Sequence, residues 1–421
     1  MATTNIAALN LAATRGGQGT TGSADATSMR FRSPLKSVWA ALAAWLLAST
    51  VANADGALSK SFLVYFGTYT GAKSQGIYVS RFDTASGQLT APALAAPSAS
   101  PSYLALAPDH QFLFAVNETD HFNGQAGGAV SAFKLDAATG KLEFLDQQSS
   151  GGSGPCHLAV DAAGRFLVVA NYDSGSVAAF PVQTGGFIGP ATAVIQHHGS
   201  SIDPQRQAGP HAHCIALDSA HHRVFACDLG LDKVMIYRLN ETNGALIADE
   251  NPWVELKPGS GPRHIAFSPN GRQACVISEM ASTLTTFAYD PEHGALKAEQ
   301  TVSLLPPDFQ GKNTAAEVAF LPSGKFIYGS NRGDDSIAVF AVNESTGRLK
   351  FVERQSTRGK TPRCFAIDPT GQYLIVANQN SDNIVVFRID TQTGLLMWTG
   401  QTVEVGQPVC VTFVPMVTAA P

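Results

Sequence analysis

Apolar and polar residues alternate along this chain in short runs, each closed by a turn rich in Gly, Asp, Asn, Thr or Pro, and the pattern returns at a fixed period. One half of the repeated unit reads as a β-hairpin running into a turn: YVSRFDTASGQL, VSAFKLDAATGKL, VAAFPVQTGGFI, VMIYRLNETNGAL, LTTFAYDPEHGAL, IAVFAVNESTGRL and IVVFRIDTQTGLL. These copies place an aromatic at Phe82, Phe133, Phe180, Tyr237, Phe287, Phe340 and Phe387, about every 50 residues. The other half is an apolar strand, a Pro/Asp/Gly turn and a second strand, as in HLAVDAAGRFLVVAN and HIAFSPNGRQACVIS. Period-2 alternation with regularly spaced turn chemistry predicts four short strands per unit and no convincing helix. The fold class is therefore all-β, a seven-bladed β-propeller.

The chain ends explain how such a ring would close. The last unit stops after one strand, PVCVTFVP (Pro408 to Pro415), while the first begins one strand short at FLVYFGTYT (Phe62 to Thr70). Pairing of the C-terminal strand with the N-terminal blade completes the circle and removes the exposed edges of an open array.

A propeller lines its central channel with the first strand of every blade, so one repeat position recurs seven times around the axis. At the position of His264 the units carry Tyr103, His157, Cys214, His264, Glu317, Cys364 and Cys410; one residue earlier come Ser102, Cys156, His213, Arg263, Ala316, Arg363 and Val409. The antiparallel second strand returns to the same mouth. Its end supplies Tyr69, Asn117, Glu118, Asn171, Tyr172, Asp228, Glu279, Asn331, Arg332, Asn378 and Gln379. Arginine and histidine at the start of an apolar strand are costly only if buried dry. Here they border a polar, water-accessible funnel. Two long links enter that mouth: QHHGSSIDPQRQAGPHAH (Gln196 to His213) between blades three and four, bringing His197, His198, His211 and His213, and LLPPDFQGKNTAAE (Leu304 to Glu317) ahead of blade five. Long loops in compact repeats are often functional.

The first 54 residues change the picture of the domain. Residues 1–28 are small, polar and featureless, a disordered or over-extended N-terminus, with Met29 an alternative start. Residues 29–54 follow the order of a secretory signal peptide: basic Arg30, Arg32 and Lys36, apolar Val38 to Ala48, then Ala52-Asn53-Ala54 as a small-x-small cleavage site. An uncleaved anchor is the alternative. The expected mature protein is a single domain, 55–421, soluble and periplasmic or secreted, cleaved near Ala54, with no stable membrane association. It carries 24 Lys plus Arg (28 less the 4 in residues 1–54) against 32 Asp plus Glu (33 less 1), a charge of −8 with no basic run, which argues against nucleic acid as a partner. The six cysteines lie in or beside apolar runs without CxxC spacing and read as small buried side chains rather than a disulfide framework.

The chemistry expected at the mouth is acid–base and electrostatic, or plain ligand binding. Arg263, Arg332 and Arg363, expected from blades four, five and six, repel one another unless an anion sits among them. Glu279 is a counter-ion, a general base, or both. No GxSxG turn marks a nucleophile, no glycine fingerprint marks a nucleotide cofactor, and the histidines have no diagnostic metal spacing, so no cofactor and no metal is expected. Oligomeric state is not legible in the sequence.

At these residues the chain resembles a known family. QAGPHAHCIALD, GPRHIAFSPNGRQACVISE and FLPSGKFIYGSNR, in that order within Ser61 to Pro415, are similar to the seven-bladed propeller lactonases: bacterial 6-phosphogluconolactonase of the propeller type and its relative, fungal carboxy-cis,cis-muconate cyclase. The resemblance implies a catalytic set of His211, Arg263, Glu279 and Arg332; His157, Asn171 and Arg363 also match family positions. Together with His213 and His264, these last three are expected to bind substrate. It implies hydrolysis of a small anionic lactone, with His211 as general base, Glu279 as its partner or substitute, Arg263 and Arg332 holding the anion and polarising the carbonyl, and Arg363 assisting. The family's phosphogluconolactonases act in the cytoplasm, whereas an export signal favours another sugar or organic-acid lactone. A muconate-type cycloisomerase and an exported propeller that only binds a ligand or protein are the alternatives.

Overall fold

The computed structural model describes residues 61–218 and 223–416; the leader and signal segments expected within 1–54 lie outside the described residues. The described chain is built of antiparallel sheets, with one short 3-10 turn at Gln379–Ser381. Seven blades follow one another around the axis. Blades two to seven have innermost strands Leu104–Leu106, Pro155–Val160, Ala212–Leu217, Pro262–Phe267, Thr314–Phe320 and Pro362–Ile367, each followed outward by later strands of the same unit. Blade one takes its innermost strand from the other end of the chain. Pro408–Pro415 pairs antiparallel with Ser61–Thr68, from Phe62↔Pro415 to Thr68↔Pro408, which closes the ring as the sequence led one to expect. Because that half-unit at the N-terminus counts as blade one, Arg263, Arg332 and Arg363 sit on blades five, six and seven rather than four, five and six. The extension from Leu304 likewise enters blade six.

The aromatic of each hairpin is buried between adjoining blades. Phe82 of blade one, for instance, meets Tyr373 of blade seven edge-to-face at 5.2 Å. Each such side chain contributes about 1.5–3 kcal/mol by leaving water, which makes the blade-to-blade seam the principal core. All six cysteines are buried; Cys214, Cys227, Cys275, Cys364 and Cys410 pack in these seams.

One local irregularity positions the site. In blade three Pro155 pairs with Asn171 while His157 pairs with Ala170, so Cys156 is an extra residue in the ladder. The same shift isolates His213, Arg263, Arg363 and Val409, and in blade six it spans Ala316–Glu317. A β-bulge breaks the in–out alternation of a strand and re-aims a side chain. In these six blades two successive residues of the inner strand are thus turned toward the channel, in two stacked rings; in blade two the equivalent Ser102 and Tyr103 precede the strand Leu104–Leu106.

Candidate active site

The mouth ring and the ends of the second strands enclose a cavity of about 290 Å³ lined by Tyr69, Glu118, Cys156, Tyr172, Arg206, His213, Arg263, Glu279, Arg332 and Arg363. Its volume is at the small end of small-molecule sites. Four guanidinium groups against two carboxylates leave it a formal surplus of two positive charges.

Glu279 organises one side. Its Oε2 accepts from Arg263 Nη1 and Arg332 Nη2, each at 2.7 Å, and Oε1 accepts from Arg206 Nη2 at 2.7 Å. Burial alone would raise the Glu279 pKa, but the charges of Arg263 and Arg332, helped by the Arg206 hydrogen bond, hold it well below the usual carboxylate range. Arg263 also donates to His213 Nε2. Burial, then the Arg263 charge, keep the His213 pKa well below its ordinary value, so the ring is neutral and its Nε2 lone pair is occupied. Burial, then Arg263, likewise lower the Arg332 pKa, the signature of a crowded cation. Arg263 Nε and Arg332 Nε are both buried without an acceptor. An unsatisfied buried donor costs free energy, so the crowding of these two arginines is held at a cost.

Glu118 occupies the other side, in different company. It ends the second strand of blade two as Glu279 ends that of blade five, three blades away. Tyr69 donates its hydroxyl to Oε1 at 2.9 Å and Oε2 at 3.0 Å, and Ser102 donates to Oε2. The Arg363 guanidinium lies over the Tyr69 ring, 5.4 Å from its centroid.

The long link before blade four behaves differently from its sequence expectation. Asp-Pro starts a turn in which Asp203 Oδ1 accepts from the amides of Gln205 and Arg206, and Gln207 donates to the Leu229 carbonyl. That turn carries Arg206 over the cavity, where it also reaches the Tyr172 hydroxyl at 3.0 Å. Arg206 is absent from the residues expected at the site, although it is the single Arg or Lys of that loop and its charge is the signal that marks it. His197 is not at the mouth. It is buried between Asp228, at 2.6 Å from Nδ1, and the Tyr237 hydroxyl, at 2.8 Å from Nε2, where it fastens the loop. His198 is exposed.

His211 is at the rim rather than among the lining residues: its ring stacks on Tyr172 with centroids 4.5 Å apart. Nδ1 lies 2.9 Å from the Tyr172 carbonyl, which can only accept, so Nδ1 holds the proton. His157 and His264 belong to the second ring. His157 stacks on Tyr103 at 3.8 Å and takes the Ile215 amide on Nδ1, while His264 bonds Glu317 at 3.1 Å. Both are packed below the cavity instead of lining it. Asn171 is also displaced from its expected role, because its amide donates to the Ser150 carbonyl and Ser176 hydroxyl inside blade three. Asn117, Asn331 and Asn378 make the corresponding tie to a loop carbonyl in their own blades, which marks the position as part of the repeat. Of the nine expected residues, Arg263, Glu279, Arg332, Arg363 and His213 meet in one cavity; His211 adjoins it. Among the described residues no three His, Cys, Asp or Glu side chains come together as a metal would require.

Comparison with known proteins adds to this geometry. Residues 63–413 match the family model described as lactonase, 7-bladed beta-propeller. A 6-phosphogluconolactonase of Bacillus subtilis is 38% identical over 356 residues, 85% of this chain and 99% of that protein, and one of Formosa agariphila is 35% identical over 309 residues, 72% and 86%. Among solved structures, the periplasmic gluconolactonase of Pseudomonas aeruginosa superposes with a TM-score of 0.80 at 39% identity, covering 85% of this chain and 100% of that one.

Proposed function

This chain belongs to the seven-bladed β-propeller lactonase family, and from that premise we propose that it hydrolyses a sugar or organic-acid lactone bearing an anionic group. The observation that carries this reading is the cavity itself: four arginines around two carboxylates, a formal surplus of two positive charges that an anion would balance. Arg363, Arg332 and Arg263 hold the anion, and the guanidinium nearest the lactone carbonyl stabilises the oxyanion that forms as water adds. Glu279 acts by holding Arg206, Arg263 and Arg332 in place. A carboxylate with so depressed a proton affinity is a poor base at neutral pH.

The family relatives are named for a phosphorylated and for a plain gluconolactone. The basic and apolar stretch before Ala54 supports export, and hence a lactone available outside the cytoplasm. A direct test incubates the purified protein with gluconolactone, its 6-phosphate and muconolactones and follows ring opening against the spontaneous rate. Acceleration of at least one supports the reading. Inertness toward all of them, with the folded state intact, favours a binding propeller, and ring closure of an unsaturated diacid in place of opening favours the cycloisomerase.

A further inference from the structure

Resting on the lactonase reading, we propose that Glu118, and neither Glu279 nor His211, is the general base that activates the attacking water. The cavity holds two carboxylates at the same repeat position of blades two and five, and their surroundings separate their roles. Paired carboxylates in contrasting environments divide acid–base work from charge stabilisation. Glu279 is committed to cations: three guanidinium groups share its two oxygens and lower its proton affinity. Glu118 accepts only from hydroxyls, those of Tyr69 and Ser102, and is partly open to the cavity. A carboxylate offers about four lone-pair sites, so these donors leave it capacity to accept from a water.

The remaining candidates are placed less well. His213 has Nε2 committed to Arg263. His211 lies outside the lining, behind the ring of Tyr172. Tyr69 completes the arrangement. Burial, opposed by Arg363 and reinforced by Glu118, raises its pKa, so it remains a donor that orients the Glu118 carboxylate. Arg363, stacked over Tyr69, sets the position of the anion relative to that carboxylate.

The step balances without any further reactant. Glu118 takes a proton from water as the water oxygen bonds to the lactone carbonyl carbon, and the C=O π pair moves onto oxygen beside a guanidinium. The tetrahedral oxyanion collapses, re-forming C=O and breaking the bond from carbonyl carbon to ring oxygen. The ring oxygen leaves with the proton from Glu118, which returns to its carboxylate state, and the new carboxylic acid releases its proton to solvent.

The test measures kcat and KM for the lactone that the wild-type protein opens fastest, beside Glu118→Gln and His211→Gln, together with inhibition by the ring-opened hydroxy acid. Glu118→Gln is expected to lower kcat roughly 10²–10⁴-fold, the usual contribution of a general base, with KM and the product inhibition constant within about threefold of wild type, because the arginines still hold the anion. His211→Gln is expected to keep kcat within about tenfold. Loss of kcat in His211→Gln with Glu118→Gln near wild type would overturn the assignment. So would an equal loss of kcat and of product binding in Glu118→Gln, which would mark Glu118 as structural. Wild-type protein inert toward every lactone would instead overturn the functional reading on which the assignment rests.

Discussion

Arg263 and His264 are adjacent in the chain and face the same channel, yet they belong to rings with opposite characters. The ring at the mouth is a charged network that crosses blades: Arg263 of blade five meets His213 of blade four, and Glu279 collects arginines from blades five and six and from the loop ahead of blade four. The ring below is packed, with Tyr103, His157 and His264 in mutual ring contact, His264 capped by Glu317 and touched edge-on from the mouth by His213. One extra residue in the ladder separates the two. Without the bulge, Arg263 would follow the alternation of its strand and point away from the axis. The propeller thus supplies a close-packed plug at one level and a charged, arginine-rich cavity at the next.

That contrast predicts a gradient of effects. The largest belongs to Glu279→Gln, which leaves three guanidinium groups facing one another in a buried site. Removing one partner of a buried ion pair costs about 3–5 kcal/mol, so the midpoint of thermal unfolding should fall markedly, and kcat/KM should fall at least about a thousandfold as Arg263 and Arg332 lose their positions. Near-normal activity in this variant would break the distinction between mouth and plug.

Next comes Arg206→Met. Its guanidinium reaches one oxygen of Glu279 from the loop and is partly exposed, so it should raise KM for an anionic lactone roughly tenfold to a hundredfold with little change in stability, as steady-state kinetics and melting together would show.

Acid titration sharpens the comparison further. The native Glu279 pKa lies below its ordinary 4.5; the stability its ion pairs supply is therefore fully present above about pH 4.5 and disappears as pH falls through the lower native value. Melting curves from pH 7 to pH 3 should show this loss in wild type and a shallower one in Glu279→Gln. A smaller effect is expected from Asn171→Ala, where a buried Ser150 carbonyl loses its donor at a cost of about 1–3 kcal/mol in stability, while kcat stays within about twofold.

Much of this was legible in the chain, for reasons the structure makes plain. Period-2 alternation and seven recurring aromatics specify the blades because burial between neighbours selects one face of every strand. The missing first strand announces the closure through Pro408–Pro415. Arg263, Glu279, Arg332 and Arg363 were placed correctly because symmetry converts repeat position into radial position. Asn171 was misassigned for the same reason: the repeat position is right, but the side chain turns into its blade to tie down a carbonyl, as its counterparts do. Histidines in the long loop were weighted by residue type, whereas contact depends on the Asp203 turn, which buries His197 elsewhere and brings Arg206 inward. Glu118 was visible as a strand end at the mouth. The resemblance singles out Glu279, and no local pattern marks Glu118 for a different role, because the difference lies in the partners that the fold brings to each carboxylate.

The most direct test of the account compares kcat/KM for two lactones of the same ring, one carrying an anionic group and one neutral, in wild type and in Arg332→Met. The account predicts that wild type favours the charged lactone and that the variant loses about 10²–10³-fold on it but much less on the neutral one. Equal losses on both, or a wild-type protein indifferent to the charge, would contradict the claim that the mouth of this propeller is built around an anion.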